Sequence, residues 1–257
     1  MRFSAPANAY DRFMGRYSIS LAVELADAAD VSPGMRVLDV GCGTGALTGE
    51  LVTRTGAQNV GAIDPAAQFT AATAERYPGV DVRTGPAEAL PWEDGGFDVA
   101  LAQLVLAFMD DPDQGVREMA RVTRPGGTIA ACMWDIATGG MTMLSTFWSV
   151  VREVVPSAEG ERRLPGTAEG DIAARFERAG LRDVVAGTLT ARTAYAGFDD
   201  FWEPFTFGVG PAGTYLRTLD DEQIAQVREG CRAAVPADGP FSLDARAWYA
   251  RGTVPAG

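Results

Sequence analysis

Val37-Leu38-Asp39-Val40-Gly41-Cys42-Gly43-Thr44-Gly45 is the stretch on which the reading of this chain turns. Its first half is a short apolar run, the composition of a buried strand, and its second half places glycine at every other position. Glycine has no Cβ, so the backbone there can bend sharply and approach a ligand closely. Residues 46–55 then carry a helical pattern. A helix starting at such a loop turns its unpaired first-turn N–H groups toward the same space. By itself the spacing leaves the ligand open, because Gly41, Gly43 and Ala46 also satisfy the G-x-G-x-x-G/A pattern of dinucleotide binders.

Working outward, the flanking segments alternate. Helical patterns cover 18–29, 65–76 and 112–124, with Pro65 set to open its helix at the first turn and Pro125-Gly126-Gly127 to stop the third. Strand patterns cover 59–63, 80–84, 97–103 and 128–133. Such alternation predicts a parallel sheet with right-handed crossovers, and ligands in such sheets bind where strand order reverses. Past Asp135 the pattern loosens into helices at 141–155 and 171–179 and strands at 181–195 and 242–253. An aromatic, partly helical segment at about 198–235 lies between those last two strands.

The expectation is a Rossmann-like α/β fold: a seven-stranded, mostly parallel sheet with helices on both faces, the last strand antiparallel, and a helical lid insertion. One domain would span 1–257, with an N-terminal helical flap at 1–30, a ligand-binding core at 35–135 and a C-terminal half at 136–257. The lid would occupy about 198–235 and roof the site.

Composition removes whole classes of chemistry. The chain carries no histidine, and all 22 of its basic residues are arginine. Arginine stays protonated, so a proton acceptor must be Asp, Glu, Tyr, Cys, the substrate or water. Serine–histidine hydrolysis, Schiff-base chemistry and histidine-ligated metals are excluded. The formal charge of −12 argues against a nucleic-acid partner, which is gripped chiefly through basic side chains. No run approaches the roughly 20 apolar residues of a membrane span, and residues 1–10 lack the features of a signal peptide. A cytoplasmic location follows. The three cysteines, Cys42, Cys132 and Cys231, have neither disulfide-framework nor zinc-site spacing. No metal is expected, and Cys42 reads as small, buried and inert.

Two acids narrow the ligand. Asp39 lies on the strand just before the loop, where a buried carboxylate needs a partner. A ligand ammonium would supply one, whereas a pyrophosphate would be repelled. Asp64 ends the second strand, where an acid can accept hydrogen bonds from a ribose diol. The competing reading of Asp64 is a cap on the helix that follows.

Four pieces recur in a familiar order and spacing: 37–45, Ile63-Asp64-Pro65, Gly85-Pro86-Ala87-Glu88-Ala89-Leu90-Pro91-Trp92 and Phe97-Asp98-Val99-Ala100-Leu101-Ala102. Together they resemble the class I S-adenosylmethionine (SAM) dependent methyltransferases, in particular the UbiE-like small-molecule group, over roughly 35–133. The resemblance implies SAM as cofactor and S-adenosylhomocysteine as product. It further implies that Asp39, Gly41, the Cys42 backbone and Gly43 hold the methionine end, and that Asp64, with Pro65, holds the ribose. Ala87 and Glu88 would lie beside the adenine, and Gln103 near the transferred methyl. Similar sequences often carry Asp where this chain has Pro86, so an adenine acceptor has to come from Glu88 or a backbone carbonyl. The segment 10–17 is also similar to the family's leading segment. As a flap it would put Tyr10 over the cofactor and pair Arg16 with its carboxylate, and the other reading is an aromatic helix packed on the sheet.

For the acceptor side, Trp134 and Trp202 are candidate pocket residues and Asp135 is the best-placed base that the composition allows. The commoner role of such an aspartate is a cap or a loop acid. The function expected is methyl transfer to a small-molecule O, N or C nucleophile by in-line displacement. The alternatives are a protein that binds SAM without transferring its methyl and, less favoured, a nicotinamide-dependent oxidoreductase.

Overall fold

The computed structural model describes residues 15–161, 164–236 and 239–256. Its strands are β1 (Val37–Val40), β2 (Val60–Asp64), β3 (Asp81–Thr84), β4 (Phe97–Gln103), β5 (Thr123–Trp134), β6 (Arg182–Tyr195) and β7 (Phe241–Thr253). β1 and β2 are buried along their whole length, the behaviour of strands covered on both faces. They pair in the order β3-β2-β1-β4-β5-β7-β6. The first five run parallel, and β7 lies antiparallel between β5 and β6. The mostly parallel seven-stranded sheet read from the sequence is therefore present.

The helices are α1 (Arg16–Ala28), α2 (Ala46–Thr55), α3 (Ala67–Arg76), α4 (Pro112–Val122), α5 (Thr142–Val154), α6 (Asp171–Arg178), α7 (Phe198–Thr206), α8 (Gly210–Leu216) and α9 (Asp221–Ala234). Successive strand side chains point to opposite faces, and this builds two cores. Val37, Val99, Leu101, Cys132 and Trp134 join α1, α2 and α5. Leu38, Val40, Ala102, Ala131 and Met133 join α4 and α6. Asp39, sharing its face with Val37, is thereby turned toward α2.

Two local expectations change. The helix after β2 starts at Ala67 rather than Pro65, because Asp64 Oδ1 accepts the Ala66 N–H at 2.9 Å and Ala66 stays extended. Pro125-Gly126-Gly127 does not end a helix and begin a turn; it lies inside β5. The Gly126 N–H donates to the Val254 carbonyl and the Val254 N–H to the Gly127 carbonyl, each at 2.9 Å. That pairing, beside a register shift between Phe97 and Val99, makes the run an irregular start of the strand.

The segment between β6 and β7 is helical, and its aromatics go into the core. Phe205 stacks on Phe147 of α5 with centroids 4.5 Å apart, and Phe201 meets Tyr195 of β6 at 5.7 Å. The hydroxyl of the same Tyr195 shares a buried hydrogen bond of 2.7 Å with that of Tyr17. Among the described residues, no helix is long and apolar enough to cross a membrane.

Candidate functional site

Strand order reverses between β1 and β4, which sets the glycine loop beside Gln103 at the carboxyl edge of the sheet. Gly41 has φ +76°, and a Cβ there would lie 2.4 Å from a Val105 methyl. Both facts require glycine. Gly43 has φ +52° and nothing within 4 Å of where its Cβ would be, so the backbone is bare toward open space. The loop is pinned from behind. The Gly41 and Cys42 N–H groups both donate to the Ile63 carbonyl, at 2.7 and 2.9 Å. The Gly43 N–H donates to Asp64 Oδ2 at 3.1 Å. From α3, Thr73 donates its hydroxyl to the Gly43 carbonyl at 2.9 Å and Arg76 donates to the Thr44 carbonyl at 3.0 Å.

Two adjoining cavities open on this loop. One, of about 550 Å³, is lined by Arg16, Ser18, Asp39, Cys42 and Gln103 among others. The second, of about 730 Å³, is lined by Asp64, Pro65, Ala87, Glu88 and Asp110 among others. They share Gly41, Gly43, Thr44, Gln103 and Leu104, and both are of ligand-binding size. Every expected cofactor residue within the described chain thus lines one or both. Tyr10 lies outside the described residues.

The polar inventory of the first cavity is unbalanced. Asp39 Oδ2 accepts the Thr48 hydroxyl at 2.6 Å, while its buried Oδ1 has no hydrogen-bond partner among the described residues. Gln103 Nε2 donates to the Ser18 carbonyl at 2.9 Å and leaves Oε1 buried and unpartnered among the described residues. Arg16 Nη2 reaches Asp200 at 2.7 Å, and Nη1 is buried without a hydrogen-bond partner among the described residues. A buried polar group left unpaired costs about 1–3 kcal/mol, so three on one cavity call for a ligand. Two free acceptors and one free donor complement an amino-acid zwitterion, whose ammonium donates and whose carboxylate accepts. The residues present therefore fit the methionine end of SAM.

Burial pushes the Asp39 carboxyl up to about 7; the Thr48 bonds oppose this and the Asp64 charge adds to it. Burial also raises Asp64 above the usual carboxylate range, against the Ala66 and Gly43 N–H groups that it accepts. Each Asp64 oxygen holds one backbone N–H and keeps a further lone pair. The helix-bracing and ribose-binding readings of this residue are thus geometrically compatible.

Other expectations change with the structure in hand. The Cys42 N–H is committed to Ile63 and offers nothing to a ligand, although the residue lines the cavity. Burial raises its thiol well above the ordinary value and pushes Cys132 and Cys231 up to about 12, which leaves all three inert. Glu88 Oε1 accepts the Asp110 and Asp111 N–H groups at 2.7 and 3.1 Å, so that oxygen braces the cavity wall. Trp134 packs edge-on against Tyr17 at 5.9 Å and Trp202 stacks on Phe198 at 6.2 Å. Neither lines either cavity, and no residue of 198–235 does.

Asp135 is fully buried and accepts from Arg246 Nη2 at 2.6 Å, Arg246 Nε at 2.9 Å and the Thr138 N–H at 2.9 Å. Burial pushes its carboxyl up, but Thr138 and Arg246 outweigh that and hold it below the usual range. It pins the turn after β5 to β7 and is a poor base. Asp135→Ala is expected to destabilise the fold by about 2 kcal/mol or more, by stranding a half-exposed arginine. Because the folded value is depressed, this stability is present above about pH 4 and is lost as pH falls through the folded value. Urea unfolding at pH 7 and at pH 3.5 checks the contribution, and the shape of the pH–rate profile should not change. A profile that lost its acid-side limb would restore the base role.

Sequence reasoning missed three residues. Leu104 sits at φ +62° between the two cavities, a strained conformation of the kind that clusters at functional sites. Nothing in the local sequence signals it. Asp110 adds a carboxylate to the second cavity. Thr48, the partner of Asp39, was legible in principle, as it falls within the first helical turns after the loop.

The profile of the family described as a methyltransferase domain matches residues 38–131, which run from β1 into β5 and contain the glycine loop. A demethylmenaquinone methyltransferase of Mycolicibacterium vanbaalenii is 35% identical over 178 residues, covering 64% of this chain and 75% of that protein. A malonyl-[acyl-carrier protein] O-methyltransferase of Pectobacterium atrosepticum is 32% identical over 146 residues, covering 57% and 56%. Among solved structures, a phosphoethanolamine N-methyltransferase of Haemonchus contortus in complex with phosphomonomethylethanolamine and S-adenosylhomocysteine aligns with a TM-score of 0.59. At 16% identity, over 97% of this chain and 57% of that one, what the two share is the fold.

Proposed function

We propose, starting from the fact that the chain belongs to the class I SAM-dependent methyltransferases, that it methylates a small-molecule acceptor and that the two adjoining cavities hold its cofactor. The observation that carries the site assignment is that Asp39, Gln103 and Arg16 line one cavity at the strand-order reversal, each with a buried polar atom that has no hydrogen-bond partner among the described residues. In this reading Asp39 and Gln103 hold the ammonium of the cofactor and Arg16 its carboxylate. Gly41 and Gly43 let the backbone come close, and Asp64, beside Pro65, holds the ribose hydroxyls. Ala87 and Glu88 flank the adenine, with Asp110 as a further acceptor where Pro86 has none.

SAM supplies, when bound, a methyl group on a sulfonium already activated for transfer. The protein's task is then to orient and desolvate, and proximity alone can contribute about 7–11 kcal/mol in well-aligned cases. Gln103, bound to Ser18 and shared by both cavities, fixes the edge where an acceptor would approach. With neither histidine nor lysine in the chain and Asp135 tied to Arg246, the acceptors that suit this site are already nucleophilic or ionise readily. The relatives act on a quinone precursor and an acyl-carrier-bound malonyl group by their names. The first supports a small aromatic acceptor here. The charge of −12 supports a partner list without nucleic acid. The helices over 198–235 serve in this reading as a packed roof beside Arg16, which Asp200 holds.

Calorimetric titration with SAM, S-adenosylhomocysteine and NADH, followed by a methyl-transfer screen over phenols, carboxylates and amines, tests the proposal. Both adenosyl compounds should bind and NADH should not, and at least one acceptor should yield S-adenosylhomocysteine. Binding without turnover on any acceptor would favour a non-transferring SAM protein.

A further inference from the structure

The geometry points to Asp200, in the first turn of α7, as a positioning residue for the amino-acid end of the cofactor: it holds Arg16 so that the guanidinium presents its other terminal nitrogen to the cavity. This rests on the cofactor reading above and extends it by giving the C-terminal helical segment a part in binding.

Arg16 is gripped on several sides by residues from the far end of the chain. Nη2 donates to Asp200 Oδ1 at 2.7 Å, across 184 residues of sequence. The guanidinium carbon lies 4.7 Å from the centre of the Tyr195 ring, and the Tyr195 hydroxyl is itself held by Tyr17. The Thr193 hydroxyl donates to the Arg16 carbonyl at 3.0 Å, which fixes the backbone that carries the side chain. Asp200 is anchored in turn, since its Oδ2 accepts the Ala196 N–H at 3.0 Å. Among the described residues Nη1 is left buried and unpartnered, on a residue that lines the same cavity as Asp39 and Gln103.

A guanidinium is a planar fork with donors on separate nitrogens, so one carboxylate on Nη2 does not exclude another on Nη1. What an arginine loses on binding a ligand is chiefly rotamer freedom. Here the ion pair and the ring have removed most of that freedom before the ligand arrives. The competing effect is electrostatic, because Asp200 partly cancels the positive charge offered to the cavity. The two effects predict opposite signs when Asp200 is removed.

The test titrates the full chain and its Asp200→Ala, Asp200→Asn and Arg16→Met variants with two probes. S-adenosylhomocysteine carries the amino-acid end; 5′-methylthioadenosine keeps the adenosine and lacks it. Asp200→Ala should raise the Kd for S-adenosylhomocysteine about tenfold, the scale of a hydrogen bond to a charged group, and leave that for methylthioadenosine unchanged. Asp200→Asn should recover most of the loss, because its amide oxygen still accepts from Nη2. A variant carrying both Arg16→Met and Asp200→Ala, titrated alongside, should bind no worse than Arg16→Met alone. Unchanged or tighter binding of S-adenosylhomocysteine by Asp200→Ala overturns the proposal. So does equal weakening of both probes, which would mean that Asp200 acts only through the fold. If the wild-type chain binds neither probe, the cofactor reading falls as well. If it binds both and Arg16→Met does not discriminate between them, only the Arg16 and Asp200 assignments fall.

Discussion

Asp64→Ala is expected to raise the Kd for SAM and S-adenosylhomocysteine by about 100-fold or more, since two hydrogen bonds to a charged acceptor are lost and each is worth about 1.5–3 kcal/mol. The complication is structural. The same carboxylate accepts the Gly43 and Ala66 N–H groups, so the variant also loosens the glycine loop and the start of α3. A ligand-side comparison separates the two effects. An S-adenosylhomocysteine analogue lacking the ribose 2′-hydroxyl should bind the wild type more weakly than the parent compound. The Asp64→Ala variant should bind the two about equally, because its partner for that hydroxyl is gone. If variant and wild type discriminate between the ligands to the same degree, Asp64 braces the loop and does not touch the ribose.

The second large effect belongs to Asp39. Asp39→Asn removes the charge that faces the cofactor ammonium, and binding should become undetectable at micromolar protein. The apo protein should respond in the opposite direction. An acid whose folded-state value lies above its unfolded value weakens the fold as pH rises. For Asp39 the loss develops between about pH 4 and about pH 7 and is complete above that. The neutral amide escapes this cost while its oxygen still accepts from Thr48, so the variant should be the more stable protein at pH 8, by at most about 4 kcal/mol. The difference should vanish toward pH 4. Urea unfolding of both proteins across that range is the measurement. In the wild type, SAM binding near pH 6.5 should also release a proton, because the ammonium draws Asp39 into its ionised form. Calorimetry in two buffers of different ionisation enthalpy reads that proton directly. A variant that binds SAM normally, or an apo variant less stable than the wild type at pH 8, would remove Asp39 from the site.

These two acids could be found in the sequence because their positions are local facts. One precedes a glycine loop on a buried strand, and the other ends the next strand. The same holds for Gly41, whose φ of +76° is demanded by a turn within a few residues of chain. Strand and helix order over 37–134 followed from the periodicity of apolar residues, which also depends only on near neighbours. Local signals misled in Pro65 and Pro125-Gly126-Gly127. There Asp64 and Val254 supplied hydrogen bonds that override what proline and glycine do unaided.

The tertiary structure alone decided which side chains were spent and which were left over. Asp135 was a free acid in sequence until β7, inserted between β5 and β6, brought Arg246 to it across 111 residues. The same hairpin carried Tyr195 to Tyr17, and α7 beyond it brought Asp200 to Arg16. The aromatics of 198–235 had a composition fit for a lid, yet the packing face of α7 turned Phe198, Trp202 and Phe205 into the core. Periodicity and turn chemistry are written in residues a few positions apart, so the sequence carries them openly. Partnerships across a hundred residues or more depend on sheet order and register, and no single segment of chain encodes those by itself.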